Sequence, residues 1–415
     1  MNKDLLLKIK EEFRSRREKE KDSLQKVLAV AYPVYDEEEI IAALDCLLDL
    51  RLSQGPIVKK FEKETASYMG VEAGVATNSG TAANMIALNA MMNLGYINKG
   101  EEVILPAATF SSVVSPIYQL GLIPVYVDVS EDDWFMDLGQ VQEALTDKTK
   151  VIMPVYNLGF PGEIEQLIDI ASEKNIKVLE DCCEAHGGER QGKKLGSFGD
   201  VSTLSFFVAH NITTGEGGMV FTSNKDIENS LRELREFGRM FEKEERFFSD
   251  NILQDYDVRY VCKSIGYNCR MTDYTAAMGS IQLSKLNPLN AIRREVFSRI
   301  ASIFNKQEWL STLHVREKDK SAHYGFPILI DSSASFSRKD ICTYLESNGI
   351  ETRSLMMGCL PDQPAFRDLN HRIVGDLSFS RVLRDQAFFI GCHPAIEESH
   401  LNHLEEVINN FYKNL

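Results

Sequence analysis

The sequence predicts an α/β fold, with a large domain followed by a smaller C-terminal α+β domain. From about residue 56 onward, short apolar segments alternate with helical segments, which is typical of a mostly parallel sheet. At 415 residues the chain can bury a large core and a smaller second one. Its composition, 44% hydrophobic and 26% charged, is that of a globular protein.

The first element is a charge-rich segment whose apolar residues recur at helical spacing. It predicts an amphipathic helix over residues 3–28. Buried strands are expected next at 103–105, 124–128, 151–155 and 176–180. Helices are expected between them at 81–92, 138–145 and 164–174.

Pro288 and the charged helix after it, at about 290–305, predict the passage to the second domain. That domain has expected strands at 325–330 and 388–390 and expected helices at 338–348 and 398–413. We therefore divide the chain into an N-terminal helix (1–30), a large domain (31–290) and a small domain (291–415).

Charge and apolar patterning exclude several classes of function. A net charge of -15 argues against nucleic acid and against an anionic membrane surface as partners. No apolar run reaches the roughly 18 residues of a membrane span, and the N-terminus lacks a signal-peptide pattern, so a cytoplasmic location is expected. The eight cysteines are scattered without a C-x-x-C pair, which indicates reduced thiols and predicts no metal site.

Residues 77–84, Thr-Asn-Ser-Gly-Thr-Ala-Ala-Asn, form a small-residue turn that opens a helix. Backbone N–H groups at a helix start, with hydroxyls beside them, bind phosphate. Taken alone, such a turn equally serves as an ordinary helix cap.

Residues 179–188 follow a predicted buried strand and contain Asp181, Glu184 and His186. A carboxylate at the carboxyl end of a parallel strand points into the crevice where α/β sheets bind ligands. Asp181 there can pair with a protonated pyridine nitrogen, although a helix N-cap is the alternative. Glu184 is expected about one helical turn further on, and His186 is expected to be structural.

Residues 204–219 contain Ser205, His210 and three glycines that permit a tight turn. The Ser205 hydroxyl can bind a phosphate, and an imidazole ordinarily moves protons near neutral pH. A lone histidine is more often structural. The order and spacing of the three segments together favour a functional site.

The chain resembles the DegT/DnrJ/EryC1/StrS group of sugar aminotransferases from about residue 30 to the C-terminus. The resemblance rests on these three segments and on residues 54–62, 106–110 and 266–273. It implies the aspartate-aminotransferase fold (fold type I) and the cofactor pyridoxal or pyridoxamine phosphate. It also implies a homodimer with shared active sites.

The resemblance also implies roles for particular residues. Phe110 matches the aromatic that stacks on the pyridine ring, Asp181 the partner of the ring nitrogen, and Glu184 the residue beside the ring hydroxyl. The phosphate site matches Ser205 together with the backbone around Gly80, Thr81 and Ala82. Asn268 matches an asparagine that reaches the neighbouring subunit's phosphate. Thr275 departs from the family's usual glutamine and is assigned nothing.

His210 stands where the family has the lysine that forms the Schiff base. This change is similar to the 3-dehydratase branch, which removes the C3 hydroxyl from nucleotide-linked 4-keto-6-deoxy sugars in deoxysugar biosynthesis. Residues 324–327, 349–358 and 386–391 resemble that branch as well. The expected chemistry uses His210 as the base, and glutamate as the amino donor that regenerates pyridoxamine phosphate.

One member of the branch uses a [2Fe-2S] cluster, whose cysteines should lie between about residues 238 and 267. This chain has Cys262 alone before Cys269 in that region, so four thiolates cannot be gathered and no cluster is expected. Three alternatives stay open. They are a sugar aminotransferase whose catalytic lysine is replaced at position 210, an inactive homologue that binds a sugar nucleotide or a partner, and a dehydratase whose cluster takes thiols from elsewhere.

Overall fold

The structure is a computed structural model that describes residues 3–24, 27–240 and 256–415. In chain order its strands are β1 (Ala73–Thr77), β2 (Glu102–Pro106), β3 (Ile123–Val127), β4 (Thr149–Ile152), β5 (Lys177–Asp181), β6 (Glu189–Arg190), β7 (Lys193–Lys194), β8 (Val201–Ser205), β9 (Gly218–Thr222), β10 (Leu310–Ser311), β11 (Gly325–Ile330), β12 (Thr352–Ser354), β13 (Arg372–Ile373) and β14 (Ala387–Gly391).

Its helices are α1 (Lys3–Leu24), α2 (Glu37–Leu48), α3 (Pro56–Met69), α4 (Gly80–Asn93), α5 (Ser111–Gln119), α6 (Leu138–Ala144), α7 (Ile164–Glu173), α8 (Lys225–Arg235), α9 (Asp273–Phe304), α10 (Arg338–Ser347), α11 (Ser378–Gln386) and α12 (Glu398–Lys413). Three short 3₁₀ turns, at 157–159, 258–260 and 360–362, complete the helical segments of the described chain. No helix in the described ranges combines the length and the apolar character needed to cross a bilayer.

An eight-stranded sheet forms the centre of the larger body, in the order β1-β9-β8-β5-β4-β2-β3-β13. Strand β9 runs antiparallel to both of its neighbours, while the remaining pairs are parallel. Strands β2, β8 and β9 are buried along their whole length, as expected where helices cover both faces of a sheet. The predicted mixed, mostly parallel sheet is confirmed.

A second sheet of four antiparallel strands, β10-β11-β14-β12, lies in the C-terminal part of the chain. The buried side chains Phe326 and Phe388 of this sheet belong to one apolar core with Leu345 of α10 and Leu404 of α12. Strand β13 comes from the same part of the chain but pairs with β3 at the edge of the large sheet. The C-terminal part of the chain is therefore joined to the large sheet by strand β13 as well as by helix α9.

Two predicted boundaries differ from the structure. Helix α1 ends at Leu24 rather than residue 28, because Leu28 is in extended backbone that exchanges hydrogen bonds with Gly349 and Glu351. Pro288 lies inside α9, which runs through the predicted boundary at residue 290. A proline costs the helix one backbone bond, and packing of α9 along α2 and α3 compensates for it. The division into domains stays a prediction.

The outer edge of β1 is covered by buried charged side chains rather than by another strand. Glu62 accepts the Ala76 N–H at 2.9 Å, and Arg235 donates to the Ala76 carbonyl at 3.0 Å. Glu62 also pairs with Arg235 at 2.5 Å and with Arg232 at 3.0 Å. An exposed strand edge invites pairing with another chain, so these contacts both neutralise the buried charges and close the edge.

We expect Glu62→Gln to destabilise the protein by about 3–5 kcal/mol, because it leaves the Arg235 guanidinium buried without a full counter-charge. Urea denaturation followed by circular dichroism measures this. Glu72→Gln, at an exposed position beside the same strand, is the matched control and should change stability by less than about 0.5 kcal/mol. Equal stability of the two variants would contradict the role given to Glu62.

Candidate active site

A cavity of about 360 Å³ opens at the carboxyl edge of the large sheet. Its walls come from the segments that follow β1, β2, β4, β5 and β8, together with Tyr324 and Met356 from the C-terminal part. This edge is where open α/β sheets bind their ligands. The structure thus joins segments that are far apart in the sequence.

Most of the predicted site residues line this cavity, namely Gly80, Thr81, Phe110, Asp181, Glu184, Ser205 and His210. Ala82 lies one step further into α4, and its N–H is bound to the Ser79 hydroxyl at 3.1 Å. Asn268 does not line the cavity of its own chain. It is exposed, and its backbone pairs with Glu236.

The start of α4 forms a cradle against the end of β8. A Cβ atom added at Gly80 would lie 2.6 Å from the Ser205 Cβ, so the two backbones approach too closely for any side chain at position 80. Ser79 caps the helix through Ala82, which leaves the N–H groups of Gly80 and Thr81 at the helix start without an intrahelical partner. With the Ser205 hydroxyl, this arrangement suits an anionic phosphate.

Asp181 ends β5 with its carboxylate held in place from two sides. Asn84 Nδ2 donates to Oδ2 at 2.8 Å, and the Cys183 N–H donates to Oδ1 at 3.0 Å. Asn84 is itself fixed by the Thr203 hydroxyl at 2.7 Å. Each carboxylate oxygen keeps a further lone pair. Asp181 can therefore accept a hydrogen bond from a protonated ring nitrogen while it keeps its bonds to Asn84 and Cys183.

Glu184 lies near Asp181 and accepts the Leu158 N–H at 2.7 Å. Burial, with a smaller contribution from the nearby Asp181 charge, raises the pKa of Glu184 to about 8. Its carboxyl is therefore mostly protonated at neutral pH. Leu158 has a positive φ of 53°, and such local strain is often found at functional sites.

His210 is held by its own backbone segment, since Nδ1 lies 2.8 Å from the Ser205 carbonyl oxygen. A carbonyl only accepts, so Nδ1 carries the proton and the lone pair is on Nε2. Burial lowers the pKa of His210 to about 4, which differs from the near-neutral value expected from the sequence. The His210 imidazole is therefore neutral throughout the physiological pH range.

His186 supports the segment that follows His210. Its Nδ1 accepts the Ile212 N–H at 3.1 Å, and its ring centre lies 5.7 Å from that of His210. Burial holds the pKa of His186 well below its usual value. His186 therefore orients the loop rather than exchanging protons.

The donor set fits a planar, phosphorylated heteroaromatic group. Phe110 lines the cavity and is 48% exposed, which leaves an aromatic side chain accessible to a planar group. The buried oxygens Thr109 Oγ1 and Asn157 Oδ1 have no hydrogen-bond partner among the described residues. Since buried polar atoms are ordinarily satisfied, these two cavity-lining residues point to a bound polar group.

Several cavity residues received no role from the sequence, among them Asn157, Tyr324 and Met356. Tyr324 lies in segment 324–327, which resembles the dehydratase branch, but it received no role. Its ring meets that of His210 edge to face, with the centres 5.4 Å apart. Met356 likewise lies in segment 349–358, which resembles the dehydratase branch, but it received no role. Nothing in the sequence around Asn157 marks it, because its contribution depends on how distant segments fold together.

No metal site is found in the described ranges, where no three His, Cys, Asp or Glu side chains are grouped to hold an ion. Residues 241–255, which belong to the interval where the sequence predicts no iron–sulfur cluster, lie outside the described residues. That part of the cluster prediction stays a prediction.

The sequence pattern of the DegT/DnrJ/EryC1/StrS aminotransferase family matches residues 33–410. The chain belongs to this family. The match spans both sheets and every segment of the cavity. The recognition made from the sequence motifs, and with it the aspartate-aminotransferase-like fold, is confirmed.

Two curated relatives and one solved structure illustrate the activities of proteins similar to this chain. The dTDP-4-dehydro-2,6-dideoxy-D-glucose 3-dehydratase of Saccharopolyspora spinosa is 32% identical over 91% of this chain and 85% of its own. The GDP-perosamine synthase of Escherichia coli O157:H7 is 32% identical over 87% of this chain and 91% of its own. A GDP-4-keto-6-deoxymannose-3-dehydratase with a trapped PLP-glutamate geminal diamine superposes with a TM-score of 0.83 and 26% identity, over 91% of this chain and 99% of that one.

We expect Glu184→Gln to stabilise the cofactor-free protein at neutral and alkaline pH. A carboxyl whose pKa is raised in the folded state favours folding fully below its unfolded pKa, 4.5, and loses this contribution as pH rises toward the folded value of about 8. Because a glutamine side chain does not ionise, Glu184→Gln does not lose stability in this way as pH rises. The Tm of the variant minus that of the wild type should therefore grow from pH 5 to pH 8 and then level off.

Thermal unfolding between pH 5 and pH 9 tests this expectation. Glu173→Gln, on the exposed side of α7, is the control and should give a pH-independent difference. A Tm difference at position 184 that does not change with pH would mean that Glu184 titrates normally.

Proposed function

We propose that this protein is a pyridoxamine phosphate-dependent dehydratase that removes the C3 hydroxyl of a nucleotide-linked 4-keto-6-deoxy sugar. The proposal agrees with the dehydratases among its relatives, which act on dTDP-linked and GDP-linked sugars. The sugar on which this protein acts is linked to dTDP, to GDP or to another nucleotide. The product would enter deoxysugar biosynthesis, such as that of lipopolysaccharide O-antigen.

The observation that carries the proposal is the state of His210. This position lies where the family has its Schiff-base lysine, and no lysine is found among the described residues that line the cavity. An imidazole has no primary amine, so it cannot anchor the cofactor covalently. A neutral imidazole whose lone pair is fixed on Nε2 is instead suited to accepting a proton.

The remaining cavity residues would hold the cofactor without a covalent bond. Ser205 and the start of α4 would take the phosphate, Phe110 would cover one face of the ring, and Asp181 would pair with the ring nitrogen. Glu184 in its protonated form would donate a hydrogen bond to the ring hydroxyl. When bound, pyridoxamine phosphate supplies a primary amine for the sugar ketone and a ring that withdraws electrons from the bonds that break.

With cofactor and sugar bound, His210 Nε2 is the atom that would accept a proton from the carbon bearing the amine, and the C3 hydroxyl of the sugar would leave as water. The Ser205 carbonyl, by binding Nδ1–H, stabilises the imidazolium that forms. Hydrolysis of the released product gives a 3-deoxy-4-keto sugar and ammonia.

The second candidate is a sugar aminotransferase, and the GDP-perosamine synthase relative favours it. Aminotransfer requires the same cavity and returns an amino sugar instead of ammonia. The replacement of lysine by His210 disfavours it, because the family's lysine both anchors the cofactor and moves the proton.

Glutamate is proposed as the amino donor, in agreement with the glutamate adduct in the superposed structure. A homodimer with shared active sites is also proposed. Asn268 is exposed and lies outside its own chain's cavity, as expected of a residue that serves the partner's phosphate site. The cytoplasmic location expected from the sequence remains part of this proposal.

Ammonia release tests the proposed function. Protein loaded with pyridoxamine phosphate is given glutamate and a panel of GDP-, CDP-, dTDP- and UDP-linked 4-keto-6-deoxy sugars. We expect ammonia and a sugar product that has lost one oxygen by mass. His210→Asn should reduce the rate by about 10²-fold or more, whereas His314→Asn, at an exposed position, should match the wild type. A 4-amino sugar without ammonia would establish the aminotransferase instead.

The low pKa of His210 predicts an unusual pH profile. The neutral imidazole is the active form and protonated Glu184 has a pKa of about 8, so activity should stay nearly constant as pH falls from 7 to about 5 and should decline only as pH approaches the His210 pKa of about 4. Initial rates of ammonia release across this range measure it, with samples returned to pH 7 to confirm that the protein survived. A half-maximal rate near pH 6.5 would show that His210 titrates as in water.

A further inference from the structure

The cavity contains a tyrosine to which the family resemblance assigns no role. Among the described residues, three aromatic rings lie within about 6 Å of the His210 ring: those of His186, Phe207 and Tyr324. Phe207 carries no polar atom, and His186 does not line the cavity. Tyr324 is thus the neighbour of His210 that brings a transferable proton into the cavity.

The hydroxyl of Tyr324 is uncommitted, unlike that of the other tyrosine in the cavity wall. Tyr156 donates to the buried Glu180 at 2.6 Å and is thereby fixed in the protein interior. For Tyr324, the described residues provide no hydrogen-bond partner for the hydroxyl. Burial raises the pKa of Tyr324 above its usual value, so the phenol is protonated at every pH at which the enzyme would work.

Tyr324 is also held firmly enough to act at a defined point. Its N–H donates to the Leu158 carbonyl at 2.9 Å, and its ring packs on Phe389 with the centres 6.2 Å apart. The preceding residue, His323, has a positive φ of 43°, and its carbonyl accepts from the buried Arg293 at 3.3 Å. The turn that carries Tyr324 is therefore fixed by contacts with a loop of the large sheet and with a strand of the smaller one.

We propose that Tyr324 is a second catalytic residue, whose phenolic hydroxyl donates its proton to the departing C3 hydroxyl while His210 accepts the proton from the cofactor carbon. This inference rests on the proposed function. It assigns removal and delivery of the proton to two neighbouring groups rather than to one imidazole.

The protons and electrons of the step balance within the cavity. His210 Nε2 would gain one proton from the C–H bond, and the electron pair of that bond would be balanced by the pair that leaves with the C3 oxygen. The leaving oxygen takes the phenolic proton of Tyr324 and departs as water. The imidazolium returns a proton to the phenolate, so both side chains regain their starting forms.

Tyr324→Phe tests the inference because it removes the hydroxyl and keeps the ring that packs on His210. The loaded enzyme is run in D₂O with the nucleotide sugar that gives ammonia with the wild type. Deuterium entering the amine-bearing carbon of the recovered cofactor reports proton removal by His210. Ammonia reports loss of the C3 hydroxyl. Both are measured in the same sample.

With the wild type, most proton removals should lead on to hydroxyl loss, so exchange per ammonia is low. In Tyr324→Phe, ammonia release should fall by about 10²-fold, the usual contribution of a general acid, while proton removal continues and becomes reversible. The ratio of exchange to ammonia should therefore rise at least about tenfold. Tyr118→Phe, at a half-buried tyrosine outside the cavity, should leave both rates unchanged.

A role confined to positioning His210 predicts something different. Exchange and ammonia would then fall together with their ratio unchanged, and this result would overturn the inference, as would an unaltered rate of ammonia release. A spectroscopic measurement separates the cases further. The ¹⁵N resonances of the His210 ring in cofactor-free Tyr324→Phe should match the wild type, whereas a displaced His210 would shift them.

The inference and the proposed function fail in distinguishable ways. Absence of ammonia from the wild type with every sugar of the panel overturns the proposed function and this inference with it. Ammonia from the wild type, matched by Tyr324→Phe, overturns the role of Tyr324 alone and leaves the dehydratase standing.

Discussion

The register of β9 between β1 and β8 determines the site. Gly218 stands opposite Thr77 on one side and Ser205 on the other, so the strand ends that carry the two halves of the phosphate cradle lie level. A Cβ at Gly218 would lie 2.4 Å from the Ser79 carbonyl oxygen, which shows how closely the three backbones approach there. The helix start at Gly80 and the loop that carries His210 are both positioned by this contact.

Burial then sets the charge states inside the cavity. Desolvation keeps His210 neutral and Glu184 protonated near neutral pH, although in water each would favour the opposite or a mixed state. The Ser205 carbonyl fixes which nitrogen of His210 carries the proton. A site that lacks the anchoring lysine can therefore still present a proton acceptor and a hydrogen-bond donor at defined places. The protonation states here follow from partial desolvation as much as from residue identity.

The C-terminal part of the chain completes the cavity through a few backbone contacts. Tyr324 is tied to the Leu158 carbonyl, and the Met357 N–H donates to the Thr109 carbonyl at 3.3 Å. Both contacts join loops of the large sheet to loops of the smaller one. Tyr324, whose ring packs against His210, therefore comes from the C-terminal part of the chain. Its position also depends on Arg293 of the long helix α9, which donates to the His323 carbonyl.

By itself the sequence determined the α/β class and most strands and helices of the large sheet, because alternating apolar segments are local signals. Strand-end polar residues such as Asp181 were also visible in the sequence, whereas Phe110 was indicated only by the family resemblance. Only the tertiary structure decided the end of α1, the continuation of α9 through Pro288 and the antiparallel β9, since packing outweighs local propensity there. It also decided the charge state of His210 and the approach of Tyr324. Burial and contacts between distant segments have no counterpart in a local pattern.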